Sequence, residues 1–401
     1  MPATYEANAD GNDLPPTGRS RLFWVVATVL TLGFAAVRLM SEGALDALVG
    51  HPEQPIEQAV IRQKPIADED RALASSALGV GGKRSPETRP RPHAGGGPYA
   101  PLVVVPSASS SVESADLPDE AFVIGVEVNG ETRAYPLDMM SPPVRRIVND
   151  TLGGEPIAVT WCGECRTPLV FSRRFQDRAL TFFVTGEFFG RTMMMEDVET
   201  HTGWAQMIAG GVRGPLKGHP LDQIAAIWTD WKTWRTVHPE STVLGLTFVS
   251  QRFRRQTEPA RAQSEHRFFN ALQWGLSRDG GTISWPFAEL ARVAVVNDEC
   301  GDLPLLILFD DATHTAAAFD RRVGGRTLAF QRRDDALLDD DTGSVWDAVS
   351  GRALSGPLAG ERLAPVAGTI ASIDAWRIFH PDSQLRSAGR HELGRHEPAL
   401  Q

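Results

Sequence analysis

A chain of 401 residues, 42% hydrophobic and 22% charged, is ordinary for a folded protein and has room for two or three domains. A net charge of −10 with no long Lys/Arg block argues against a nucleic-acid partner. Three cysteines are too few for a disulfide framework and leave at least one thiol unpaired.

Residues 1–21 are polar at first, with Glu6, Asp10 and Asp13, and read as a cytoplasmic tail. Leu22–Met40 follows, apolar except for Arg38, which is near enough to the end to snorkel. About 19 residues at ~1.5 Å rise come close to the ~30 Å hydrocarbon core, so a single transmembrane helix is expected. A cleaved signal peptide would want small residues at −3 and −1, but cleavage after Ala36 puts Phe34 at −3 and cleavage after Ala44 puts Glu42 there. Arg19 and Arg21 before the span against Arg38 at its far end favour a cytoplasmic N-terminus. The bulk of the chain is then expected in the periplasm of a bacterium, anchored to the inner membrane. Residues 41–118 are rich in Ser, Gly and Pro and read as an extended linker.

Beyond it the chain reads as two tandem related β domains, 119–250 and 251–385, with a C-terminal tail at 386–401. Val148-Asn149-Asp150 recurs as Val296-Asn297-Asp298, an offset of 148 that also aligns Arg173-Arg174 with Arg321-Arg322. Past one six-residue gap near Phe188–Met193 the offset is 142, and aligns Trp204 with Trp346, Trp234 with Trp376, and His238-Pro239 with His380-Pro381. So many ordered matches point to an internal duplication. Each copy opens with a hairpin, about Asn129-Gly130 and about Asp279-Gly280-Gly281. Buried strands are expected at Ile157–Trp161 and Pro168–Phe171, and closing helices at Trp228–Val237 and Ile373–Phe379, each stopped by His-Pro. The predicted class is mostly β, with one short helix closing each domain.

Cys162-Gly-Glu-Cys165 falls in a turn between strands, and its counterparts in the second copy are Asp310 and Thr313. Three readings stay open: a structural or redox-active disulfide, a metal or haem site, or an inert reduced pair. A metal site would have to recruit ligands such as His201 or Cys300, and a Cys-x-x-C-His haem attachment is excluded by Arg166. No cofactor is expected on this reading. Asn149, Asp150, Asn297 and Asp298 are read as structural turn residues. Trp228 and Trp231, on a spacing-three stripe with Trp234, are either core or a partner-facing surface. Met193-Met194-Met195 could bind copper through thioethers, but reads better as core or contact surface.

The stretches Gly130–Pro136, Val148–Thr151, Trp161–Thr167, Asp197–Trp204, Gly214–Leu216 and Trp234–Pro239 together resemble the bacterial domain-of-unknown-function family thirty-one seventy-nine. The resemblance covers roughly residues 120–245, with the second copy as a diverged partner. Family members carry a His where this chain has Arg145, and a Pro-Leu pair and a Gly where it has Gly163, Glu164 and Arg166. If relatives use that His with the two cysteines, this chain has lost one member of the set. The leading expectation is a non-enzymatic, membrane-anchored scaffold or accessory subunit of a larger membrane protein complex, for example a respiratory or photosynthetic assembly. The alternative is a periplasmic thiol-redox or metal/haem-binding protein centred on Cys162 and Cys165.

Overall fold

The computed structural model describes residues 101–104, 109–142, 145–245 and 267–388. The expected tail, the span Leu22–Met40, most of the linker and residues 389–401 lie outside them. Among the described residues no helix is long and apolar enough to cross a membrane. The fold is mostly β, as expected, and its α-helices are short, among the described residues Leu137–Met140, Trp231–Val237, Phe287–Val293 and Ile373–Phe379.

Both halves run through the same order of elements. The first has a hairpin (Phe122–Val128 with Glu131–Pro136), a short helix (Leu137–Met140) and a three-stranded meander (Ile147–Leu152, Glu155–Cys162, Thr167–Ser172). A four-stranded antiparallel sheet follows (Phe182–Phe189, Thr192–Asp197, Gly203–Ala205, Gly210–Arg213), then a closing strand (Ala226–Asp230) and a closing helix (Trp231–Val237). The second half answers with the hairpin Leu272–Arg278/Gly281–Pro286, the helix Phe287–Val293 and the meander Val295–Cys300, Leu303–Asp310, Thr315–Asp320. Its four-stranded sheet starts at Phe330, its closing strand is Thr369–Ser372 and its closing helix Ile373–Phe379. At the first hairpin's turn Asn129 (φ 50°) and Gly130 (φ 81°) both take the left-handed conformation that a two-residue hairpin needs.

Each meander separates two cores, which is why its strands read as unbroken apolar runs rather than alternating ones. In the first, Ile157, Val159 and Trp161 face a core shared by both halves, while Ala158 and Cys162 face the first half's own four-stranded sheet. In the second, Leu305, Ile307 and Phe309 face the shared core, while Leu306 and Leu308 face the other way.

The sheets interleave the halves. The first half's closing strand pairs with its own hairpin on one side and with the second half's meander on the other, where Trp228 meets Ala316. One nine-stranded sheet results. Thr229 and Thr315 hydroxyls hydrogen-bond across this junction at 2.7 Å, and Arg362 is ion-paired with Glu127 between the halves. The equivalent junction, between the second half's closing strand and the first meander, is incomplete. Ser372 N–H donates to Cys165 O (2.9 Å), but the two sheets stay separate. The residue that stands where Ala316 does is Pro168, which has no N–H to give to a ladder.

Several boundaries differ from expectation. The helix expected from Trp228 starts at Trp231: residues 226–230 are taken into the sheet, and Asp230 caps the helix by accepting from Thr233 N–H (2.7 Å). Part of the expected linker is folded, because Leu102–Val103 and Ser109–Ser111 add as strands to the open edges at Val148–Asn149 and Thr242–Leu244. Residues 386–388 of the expected tail also dock, through Arg386 N–H to Ser284 O and Ala388 N–H to Glu289. The six-residue gap corresponds to a longer hairpin in the first half, Phe182–Phe189 with Thr192–Asp197, against Phe330–Arg333 with Ala336–Asp339.

Candidate functional site

Cys162 ends the middle meander strand and Cys165 sits in the turn to the next, as the sequence pattern suggests. The two form a disulfide with a Cα–Cα distance of 5.6 Å. Both are fully buried, in a core with Met193, Met195, Trp204 and Met207 from the same half and Ala371, Ala375 and Trp376 from the other half's closing elements. Cys165 N–H approaches Cys162 Sγ at 3.3 Å, and Thr167 Oγ1 donates to Cys165 O (3.0 Å). Cys165 Sγ lies 3.9 Å from Gln206 Oε1, while Gln206 Nε2 donates to Thr160 Oγ1 (2.8 Å) and Thr167 O (3.0 Å). Over the turn's outer side Arg146 holds Glu164 through two bonds of 2.7 and 2.9 Å.

The second half builds the same turn without sulfur. Asp310 Oδ1 accepts from Thr313 N–H (2.9 Å) and from the Thr313 hydroxyl (3.0 Å), which also bonds Thr315 Oγ1 (2.7 Å). A carboxylate and a hydroxyl thus close with hydrogen bonds what the cysteines close covalently.

The other donors considered for a metal do not converge on the disulfide. His201 is exposed on a separate turn, with Nδ1 3.3 Å from Glu196. Cys300 is buried in the second meander, where its thiol donates to Gly281 O (3.4 Å) and burial pushes its pKa up. Met193 and Met195 face one core and Met194 another, so the three thioethers cannot meet on one ion. Among the described residues no group of three or more His, Cys, Asp or Glu side chains is placed to hold a metal ion.

Asn149, Asp150, Asn297 and Asp298 are strand residues and not the turn expected; the turns are the Gly153-Gly154 and Gly301-Asp302 steps that follow. Asn149 reproduces a peptide group with its side chain. Its Nδ2 donates to Phe182 O (2.8 Å) and Leu102 O (3.1 Å), and its Oδ1 accepts from Phe182 N–H (2.8 Å). Asn297 does the same to Phe330 O and N–H, at 2.7 and 2.8 Å. Asp150 accepts from Tyr135 Oη and Arg133, both at 2.6 Å. Burial beside that carboxylate pushes the Tyr135 pKa well up. At Asp298 the partners are Trp285 Nε1 (2.8 Å) and Arg386.

The remaining motif residues are spent in the same way. Asp197 accepts from Trp204 Nε1 (2.8 Å) and from Thr200, and Asp339 accepts from Trp346 Nε1 (2.9 Å) and from Thr342. His238 and His380 lie against Trp234 and Trp376 at 4.2 and 4.0 Å, and their backbone N–H groups cap the closing helices. Trp228 and Trp231 are 2% and 0% exposed, so their rings are core and not a partner-facing stripe. Trp228 sits on a strand, which removes the helical spacing that suggested the stripe.

One pairing escaped the sequence reading. Arg166 and His314 follow the two turns at equivalent positions, both with left-handed backbone (φ 54° and 51°). The offset of 148 already linked them, each just before a Thr, but nothing marked their side chains as partners of a distant segment.

No curated protein and no solved structure matches the chain. The model of the family described as "Protein of unknown function (DUF3179)" matches residues 100–383, spanning both halves together. Most of the chain is covered by that match, and the protein belongs to this family.

Proposed function

We propose that this protein is a scaffold or binding subunit rather than an enzyme: a membrane-anchored, extracytoplasmic accessory component of a larger membrane protein complex. The observation that carries the reading is the pair of equivalent turns. One is closed by Cys162–Cys165 and one by Asp310–Thr313, which is what a structural staple would look like. Supporting it, the disulfide is enclosed on all sides, and the family motif residues are engaged in internal hydrogen bonds. The anchor is expected at Leu22–Met40, with the folded part in the periplasm. The matched clasps at Asn149/Asn297 and Asp197/Asp339 support the further reading that the halves arose by internal duplication.

Gentle-detergent purification from native membranes, with mass spectrometry and an optical spectrum on the same fraction, tests this. Stoichiometric co-purification with other subunits, unchanged in C162S/C165S, is the expected result. A protein that purifies alone, carrying metal or haem that the double substitution removes, would return the function to the cysteines.

A further inference from the structure

Phe268 and Phe269 enter the second half just ahead of its hairpin, and each is gripped by a different half. The Arg166 guanidinium lies 4.5 Å from the Phe268 ring centroid, and its Nη1 donates to Phe268 O (3.0 Å). The His314 imidazole stacks on Phe269 at 3.6 Å with planes 22° apart. Arg166 belongs to the disulfide-closed turn and His314 to its hydrogen-bonded equivalent. Beneath the two phenyl rings, Trp228 contacts Phe268 and Phe269 (both 6.3 Å), Phe122 contacts Phe269 (5.2 Å), and Trp161 contacts Trp228 (5.6 Å). Left-handed backbone is uncommon for residues with side chains, yet both turns place one there and aim it at this dipeptide.

We infer that Phe268-Phe269 is a strap that couples the two equivalent turns, so that loosening one end loosens both. Stacking and cation–π contact tie the strap to both turns above its core contacts with Trp228 and Phe122, and because the two rings are consecutive on one short piece of backbone neither can shift without the other. Ordering it at Arg166 therefore lowers the cost of ordering it at His314, and the reverse.

Hydrogen–deuterium exchange on the full chain tests the coupling through R166A and H314A made separately. In each single variant, amides of both turns, 162–167 and 310–315, should exchange about fivefold faster, the factor that loss of roughly 1 kcal/mol of ring contact implies. The inner strands at 157–161 and 303–309 should be unchanged. Acceleration confined to the substituted turn, or spread evenly over the whole fold, would overturn the proposal. F268A/F269A should reproduce the paired effect. If that variant fails to fold, the two single variants still decide the matter.

Discussion

Grafting Asp and Thr onto positions 162 and 165 would install in the first half the closure that the second half already uses. Removing a cross-link that spans so few residues is expected to cost about 2 kcal/mol by loop entropy, so C162S/C165S should unfold at a lower denaturant midpoint than the parent. C162D/C165T should recover part of that loss, because the Asp310–Thr313 geometry shows the turn holding with hydrogen bonds. A result in which the graft is no better than the serine pair would mean that the first half's buried setting rejects the carboxylate. A second residue-scale effect concerns His380, whose pKa burial against Trp376 lowers to about 4 from 6.5. The folded state resists protonation, so stability is fully present above pH 6.5 and is lost as pH falls from there toward 4. The loss is up to about 3 kcal/mol on this shift. Thermal melts of the parent and H380Q at pH 7 and pH 5 check it, and the parent should lose more between the two.

Among the elements, the Asn clasps are the sharpest case of a motif that sequence marked and structure explained. Val-Asn-Asp recurring at offset 148 flagged the positions, and local turn chemistry was the natural expectation for Asn-Asp. The residues are instead strand positions whose side chains bridge to another sheet, a contact of separation 33 that no local pattern encodes. Asn149→Ala would strand Phe182 N–H and O in a buried site and should cost about 3 kcal/mol or more, read from denaturant midpoints. Asn297→Ala should cost less, since its site is part-exposed and it lacks the third bond to a residue like Leu102. Gly125 offers a similar test. A Cβ there would meet the Trp234 ring at 2.1 Å, so Gly125→Ala should destabilise by about 1–3 kcal/mol through overpacking. The hairpins, the two later meander strands of the first half and the helix ends at His-Pro were legible because alternation, Asn-Gly and proline act locally. The start of the first closing helix was not, because pairing with Phe122–Val126 claims Trp228 for a strand.

The whole molecule is where the sequence said least. Two matched segments in tandem suggest beads on a string. In the fold the first half's hairpin and closing strand continue the second half's meander into one sheet, and one core collects residues from both. Strand partners such as Trp228 and Ala316 lie 88 positions apart and carry no mutual signature in the chain. Urea unfolding followed by tryptophan fluorescence and by far-UV circular dichroism should therefore give one coincident transition rather than two. The candidate site was half legible: the cysteine turn and its sulfur-free counterpart were visible by alignment, whereas its enclosure by Ala371, Ala375 and Trp376 is purely tertiary. Pro168 has a mechanical consequence at this scale. One joint between the halves is a strand pairing at Trp228–Ala316, and the other, outside any shared sheet, is held by Ser372 N–H to Cys165 O and Gln223 Nε2 to Gly368 O. A force that prises the halves apart would meet unequal resistance, so they would turn about the strand pairing like a door on its jamb. The gap would open first on the side where the disulfide lies.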